Sequence, residues 1–185
     1  AEIPLSYFAI EDASFREGKG GDVTITRTGG ATTSQTLRVQ SSDGSATTAD
    51  DDYAAIGTTV SFSAGETSKT INISTTTDLN IENDESFILT ISAEGPDVVP
   101  PKISDATATV TIKADDFKHG DSLYTVVDAP TWERGRENSK ALDGDLVVIE
   151  TSDEDKFLVS AFGLGHFIGL TDKDSEGIFK WVNGK

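Results

Sequence analysis

The sequence predicts a mainly β protein, in which an antiparallel β-sandwich is followed by a smaller region that mixes helices with strands. Between residues 3 and 113, apolar and polar residues alternate in short runs, as in strands that bury only one face. Turn-forming pairs such as Gly29-Gly30 and Asp43-Gly44 separate these runs at fairly even intervals. No helical period occurs in this stretch, so we expect two packed sheets.

The alternating runs define the predicted strands of the sandwich. They comprise residues 7–10; Val23 and Ile25; Leu37 and Val39; Val60 and Phe62; Ile71 and Ile73; Phe87, Leu89 and Ile91; and Ala108, Val110 and Ile112. Antiparallel sheets commonly keep one face in the core and the other in water. Alternate apolar side chains of these strands are therefore the candidate core.

A mixed pattern follows the sandwich. Residues 123–127 predict a strand, because four of the five are β-branched or aromatic. Thr131 is a candidate N-cap for a first helix, which Gly144 would end. Residues 146–149 predict a second short strand.

A second predicted helix begins near Ser152, which forms a capping-box pattern with Asp155. Two more short strands are predicted at residues 167–170 and 179–182. This second region is thus α+β in character. The predicted domains are residues 1–116 and 122–185, with a short hydrophilic linker at residues 117–121.

The charge balance of the chain is strongly acidic. Lys and Arg number 15 against 32 Asp and Glu, which gives a net charge of -17. This sign argues against nucleic acid and anionic membrane surfaces as partners and favours cations. The chain has no Cys, so disulfides do not stabilise it. No apolar run approaches the ~20 residues of a membrane span.

An acidic stretch at residues 78–85 lies between two predicted strands. Its carboxylates repel one another unless a cation lies among them, and Ca²⁺ takes six to eight oxygen ligands. Loops that join alternate strands collect at one end of a sandwich, so acidic residues far apart in sequence can share a site there. The candidate ligands are Glu17, Asp52, Asp78, Glu82, Glu85, Asp115 and Asp116. The alternative is that these acids only solvate turns.

The order of several motifs resembles a Calx-beta domain over about residues 5–116. The motifs are Glu17-Gly18, residues 42–47, Asp52-Tyr53, residues 62–71, residues 82–87, residues 108–112 and Asp115-Asp116. Calx-beta domains are immunoglobulin-like sandwiches of sodium-calcium exchangers, integrin β4 and bacterial surface proteins. The resemblance implies that these seven acids are Ca²⁺ ligands, with the backbone carbonyl of Asn80 as a further ligand. Seven carboxylates provide enough oxygen ligands for one to three ions.

Two positions depart from the calcium-rich members of this family. Thr77 and Ala114 stand where those members have further Asp residues. Fewer carboxylates predict fewer or weaker ions, with affinities of ~10⁻⁴ to 10⁻³ M as in extracellular modules.

The second region resembles the first half of a C-type lectin-like domain. The resemblance rests on residues 123–127, 130–133, 141–149, 157–158 and 167–172, where Phe167 replaces the usual Trp. The half that carries the calcium and sugar ligands of that family is expected to lie beyond Lys185. The resemblance therefore implies a truncated lectin-like domain without its sugar site, whose open strand edge favours self-association.

The sequence contains no pattern of catalytic residues. Neither His119 nor His166 accompanies a nucleophile motif or a second metal ligand at useful spacing, so we expect no enzyme activity. The main hypothesis is a calcium-binding adhesion or matrix module of a larger bacterial surface protein, in which Ca²⁺ stiffens the loop end and the domain junction. The alternatives are carbohydrate binding, with glycans as partners and the sandwich as a spacer, and a purely structural repeat.

Overall fold

The computed structural model describes residues 2–76 and 81–185 and contains two compact units. The first unit extends to Ala114, and the second comprises Asp115–Lys185. Two of the predicted metal ligands, Asp78 and Asn80, lie outside the described residues, as does Thr77.

The first unit is a two-sheet β-sandwich of nine described strands. They are β1 (Ser6–Ile10), β2 (Ala13–Arg16), β3 (Gly21–Gly29), β4 (Gln35–Ser42), β5 (Gly57–Phe62), β6 (Ser68–Ile73), β7 (Glu85–Glu94), β8 (Lys102–Asp105) and β9 (Thr107–Lys113). One sheet has the order β6-β3-β1-β8 and the other the order β2-β9-β7-β4-β5. The predicted fold class, a mainly β sandwich, is confirmed.

The first stretch of chain contributes to both sheets. β1 pairs antiparallel with β3, and after Glu11 and Asp12 the chain passes to the other sheet, where β2 pairs parallel with β9. β1 and β8 also pair in parallel. The prediction of an antiparallel sandwich is therefore wrong for these two strand pairs, because both are parallel. Because Asp12 Oδ1 accepts a 2.7 Å hydrogen bond from the Thr109 N–H, the crossing point is fixed to the second sheet.

The sandwich core consists of alternate residues from both sheets. In β7 the inward residues Phe87, Leu89 and Ile91 are at most 2% exposed. Phe8 and Phe62 meet edge to face in this core, with ring centroids 5.1 Å apart. Each such side chain stabilises the fold by about 1.5–3 kcal/mol through removal of apolar surface from water.

Two strands of the sandwich, β2 and β8, were not predicted from the sequence. β2 is only four residues long with one large apolar residue, Phe15, and three of the four residues of β8 are exposed. Both are held by backbone pairing with a neighbouring strand. Because backbone pairing does not require apolar side chains, their sequences show no alternation of apolar residues. Short edge strands of this kind are common in β-sandwiches.

The second unit combines short strands with two helices. They are β10 (Asp116–His119), β11 (Ser122–Thr125), α1 (Trp132–Ala141), α2 (Ser152–Phe162), β12 (Leu170–Thr171) and β13 (Lys180–Trp181). β10 pairs antiparallel with β11, and β12 pairs antiparallel with β13. No helix in the described part of the chain is both long enough and apolar enough to cross a lipid bilayer.

The helix boundaries follow their capping residues. Thr131 caps α1 as predicted, and its hydroxyl accepts a hydrogen bond from the Arg134 N–H. The second helix is capped by Thr151 rather than Ser152, because it is the Thr151 hydroxyl that accepts from the Glu154 N–H, at 3.1 Å. A side-chain oxygen in this position satisfies one of the free amides of the first helical turn.

The strand predicted at residues 146–149 does not form. One backbone hydrogen bond, 2.8 Å from the Gly169 N–H to the Val147 carbonyl, ties this segment to the residues before β12. A single bond of this kind does not make a ladder, so the apolar run is not part of a sheet.

Gly20 is expected to be intolerant of substitution. Its φ of 58° is left-handed, and a Cβ there would lie 2.0 Å from the Ile73 carbonyl oxygen. Gly20→Ala should therefore lower the free energy of unfolding by about 2 kcal/mol in chemical denaturation. Gly65→Ala is the matched control, because its φ is 87° but the Cβ would meet nothing within 4 Å. A loss no larger at Gly20 than at Gly65 would contradict this prediction.

Candidate metal centre

Three carboxylates meet at one end of the sandwich. Asp52 lies in the loop between β4 and β5, Glu82 precedes β7, and Glu85 is the first residue of β7. One carboxylate oxygen from each lies within 4.8 Å of the others. Thirty positions separate Asp52 from Glu82 in the sequence, so the topology of the sandwich brings them together.

Asp52 is positioned by the hydrogen bonds of its own loop. The Thr47 N–H donates to Asp52 Oδ2 at 2.6 Å, and the Asp52 N–H donates back to the Thr47 carbonyl at 3.2 Å. The Asp52 carbonyl in turn accepts from the Thr76 N–H at 3.1 Å. Asp51 takes the left-handed conformation, with a φ of 66°, that closes the turn. The loop therefore holds its carboxylate in place through its backbone.

Tyr53 anchors this loop to the core. Its ring stacks on Phe87 with centroids 3.8 Å apart, and its hydroxyl donates to Asp43 Oδ1 at 2.6 Å. Burial, followed by the Asp43 hydrogen bond, raises the pKa of Tyr53 to about 12. The phenol therefore stays a donor at neutral pH. Sequence reasoning missed the supporting roles of Asp43 and Thr47, although Asp and Thr near a tight turn are the usual signal for such bonds.

The electrostatics of the cluster are unfavourable in the absence of a cation. Burial raises the pKa of Glu85 to about 7, and the negative charge of Asp52 and then that of Glu82 add to the effect. Asp50 also contributes through its charge. At neutral pH the cluster thus holds a carboxyl group that ionises reluctantly next to acidic neighbours.

The pKa of Glu85 predicts how stability of the metal-free protein depends on pH. Because the folded-state pKa lies above the ordinary Glu value of 4.5, the folded state binds the proton more tightly, and stability falls as pH rises from about 5 to about 8. We expect a loss of about 2 kcal/mol from this group. Denaturant titrations in chelator at several pH values measure it. If the free energy of unfolding of Glu85→Gln fell equally steeply with pH, Glu85 would not be the group responsible.

Three further predicted ligands, Glu17, Asp115 and Asp116, are among the described residues but not in this group of three. Glu17 follows β2, is 8% exposed, and donates its N–H to the Lys113 carbonyl at the end of β9. Asp115 and Asp116 begin the second unit and are 4% and 1% exposed. The structure therefore shows three of the predicted side chains in one cluster, and the shared ligand set stays a prediction.

Asp84 has a different environment from its acidic neighbours. Its side chain is half exposed, it pairs with Lys113, and its Oδ1 accepts from the Ala114 N–H at 3.2 Å. The Lys113 ammonium holds the pKa of Asp84 below its usual value. The charge of Asp84 is therefore paired with the Lys113 ammonium, and these contacts connect the start of β7 to the end of β9.

The first unit matches a known family. Residues 3–116, more than half of the chain, match the Calx-beta domain. The chain belongs to the Calx-beta family. Its predicted resemblance to that family is thereby confirmed, and the two-sheet arrangement described above is the Calx-beta sandwich.

Solved Calx-beta structures share this fold. A crystal structure of the apo form of the Calx CBD1 domain has a TM-score of 0.53 and 23% identity, and the match covers 60% of this chain and 99% of that one. The CBD12 structure from CALX1.2 has the same score and identity over 60% of this chain and 44% of that one. For the calcium binding domain CBD12 of CALX1.1 the score is 0.50 and the identity 23%, with 58% and 45% covered.

A likeness to a second family is partial. A stretch of 69 residues is 33% identical to C-type lectin domain family 4 member F of Mus musculus. It covers 37% of this chain and 13% of the mouse protein, so this chain spans about an eighth of that relative's length.

Proposed function

We propose that this chain is a calcium-binding Calx-beta module, with an ion held by Asp52, Glu82 and Glu85. The convergence of these three carboxylates carries the proposal. Calx-beta domains are calcium-binding modules, and one similar structure is itself named a calcium binding domain. The wider predicted set adds Glu17, Asp78, Asn80, Asp115 and Asp116.

The donor set suits a hard divalent cation. All three side chains offer oxygen, the ligand type that Ca²⁺ prefers, and none offers sulfur or imidazole. Oxygens bound to one Ca²⁺ at 2.3–2.6 Å lie at most about 5 Å apart. The separations within the cluster, at most 4.8 Å, are compatible with one shared ion.

Calcium at this position would stabilise the loop end of the sandwich. The cation offsets repulsion between Asp52 and Glu85, whose charges otherwise oppose each other. Binding to the folded state alone raises stability by mass action. Since Thr77 and Ala114 replace Asp residues of calcium-rich relatives, affinity in the ~10⁻⁴ to 10⁻³ M range is expected.

Calorimetric titration with Ca²⁺ tests the proposal. We expect saturable heat and a higher melting temperature in calcium than in chelator, and Asp52→Asn should weaken binding by about tenfold or more. Asp51→Asn is the matched control, because it removes the same charge one residue away and Asn tolerates the left-handed φ. Absence of heat together with an unchanged melting temperature overturns the proposal.

A second candidate function is carbohydrate recognition through the second unit, with the sandwich as a spacer. The partial identity to a mouse C-type lectin family member favours it. In either case we place the protein at the cell surface or outside the cell as an adhesion or matrix component, of bacterial origin. Surface labelling of intact source cells tests the location, and glycan-array binding that requires calcium would favour the lectin function.

A further inference from the structure

The second unit contains a cleft of about 450 Å³ that is separate from the acidic cluster. One wall is α1, where Trp132, Arg136 and Lys140 follow one another at intervals of four residues and so share a face. Lys180 and Trp181 of β13 also line the cleft. The volume is in the range of sites for small organic molecules.

Positive charge is concentrated at this cleft. Residues 115–185, all described by the structure, contain eight Lys or Arg and fifteen Asp or Glu. Four of the eight basic residues line the cleft, but only three of the fifteen acidic residues do. In a chain with a net charge of -17, this is a local reversal of sign. Such a cleft favours an anion over a cation.

Contacts with neighbouring residues fix two of the side chains that line the cleft, Trp132 and Arg136. The Trp132 indole N–H donates to the Ile168 carbonyl at 2.7 Å, and the Arg136 guanidinium lies 5.8 Å from the centre of the Trp132 ring. Arg136 also binds both carboxylate oxygens of Asp145, at 2.9 and 3.0 Å. This bidentate pair fixes the arginine, so the Trp132 side of the cleft is preformed.

Two cations of the cleft form no close ion pair in the part of the chain that the structure describes. Within the described residues neither Lys140 nor Lys180 forms an ion pair, whereas Lys173 pairs with Glu133 at 3.6 Å. Glu137 is engaged by Arg134 at 2.8 Å. The cleft thus offers two ammonium groups that form no ion pair within 4.0 Å among the described residues, Lys140 on α1 and Lys180 on β13, beside two partly buried indole rings. The charge of Lys140 also acts on Asp145, the partner of Arg136.

We propose that this cleft binds a small organic anion that carries its carboxylate or sulfate on a ring, independently of the calcium site. The ring packs against Trp132 and Trp181, whose faces favour flat or CH-rich surfaces. The acidic group lies between Lys140 and Lys180. An acidic saccharide and an aromatic acid share this chemistry.

The two indole groups make the site directly observable. Trp132 and Trp181 are the only tryptophans of the chain, and both line the cleft. In a ¹⁵N–¹H correlation spectrum of the full chain in chelator, both indole cross-peaks should move saturably on titration with glucuronate, with a millimolar dissociation constant. Glucose at matched concentration should leave them in place. Benzoate distinguishes the two kinds of ligand. If benzoate binds, the ligand class includes aromatic acids, and if it does not bind, the class is restricted to acidic saccharides.

Matched variants localise the binding. Lys140→Gln combined with Lys180→Gln should weaken glucuronate binding by about tenfold. Lys156→Gln, an exposed change on α2 that removes charge from the same unit, should leave it unchanged. Unperturbed backbone cross-peaks establish that the variants are folded. The proposal is overturned if glucuronate moves neither indole peak, if acetate moves both as strongly, or if Lys156→Gln weakens binding as much as the double variant.

Discussion

Arg27→Ala is expected to lower the free energy of unfolding by about 3–5 kcal/mol, because the loss of a buried guanidinium leaves several buried acceptors without a donor. Arg27 is 2% exposed and lies in β3. Its guanidinium donates to Ser6 Oγ of β1 and, at 2.9 Å, to Gln35 Oε1 at the start of β4. It also donates to the Thr33 carbonyl at 2.7 Å. Since β1 and β4 belong to different sheets, the loss leaves unsatisfied acceptors on both.

Chemical denaturation with two controls tests this prediction. Arg38→Ala, on β4, should lower the free energy of unfolding by under about 1 kcal/mol, because Arg38 is partly exposed and donates no side-chain hydrogen bond within the described residues. Arg27→Lys keeps the charge but lacks the forked donors, so an intermediate loss is expected. If Arg27→Ala proved as mild as Arg38→Ala, the arginine would not join the sheets.

The alternating pattern predicted the central strands well for a physical reason. Strands such as β4 and β7 have a buried face, and burial imposes a period of two on residues such as Leu37, Val39, Phe87 and Leu89. The same period places Arg27 on the inward face of β3, two residues after Ile25, although it is charged. Its partners are side-chain and carbonyl oxygens of Ser6, Thr33 and Gln35, which lie in other strands or in a loop, and a pattern of apolar residues does not contain such contacts.

The candidate site was predictable only in part. The sequence identified Asp52, Glu82 and Glu85 as members of an acidic set, and the structure brings these three together. It did not predict the Thr47 and Asp43 hydrogen bonds that position the loop, because these depend on the path of the backbone through the turn. Short-range motifs identify donors, but tertiary contacts determine which of them converge.

Glu85→Gln is expected to act in opposite directions on the metal-free and the calcium-bound protein. In chelator near pH 8 it should raise the free energy of unfolding by about 1–2 kcal/mol, because it removes a carboxylate that burial and Asp52 disfavour. In calcium it should weaken binding by about 10–100-fold, because an anionic ligand is replaced by a neutral one. The melting temperature in chelator should therefore rise and the stabilisation by calcium should fall, so the difference between the two conditions becomes smaller.

Glu94→Gln is the matched control for this variant, since Glu94 is the last residue of β7 and Glu85 is the first. The same substitution at the far end of one strand should change neither calcium affinity nor the stability difference. Melting curves of the three proteins, each with calcium and with chelator, measure both effects. Stabilisation in chelator without weaker calcium binding would show that Glu85 is a repulsive acid and not a ligand. Weaker binding without that stabilisation would show that Asp52 and Glu82 do not oppose its charge in the metal-free state.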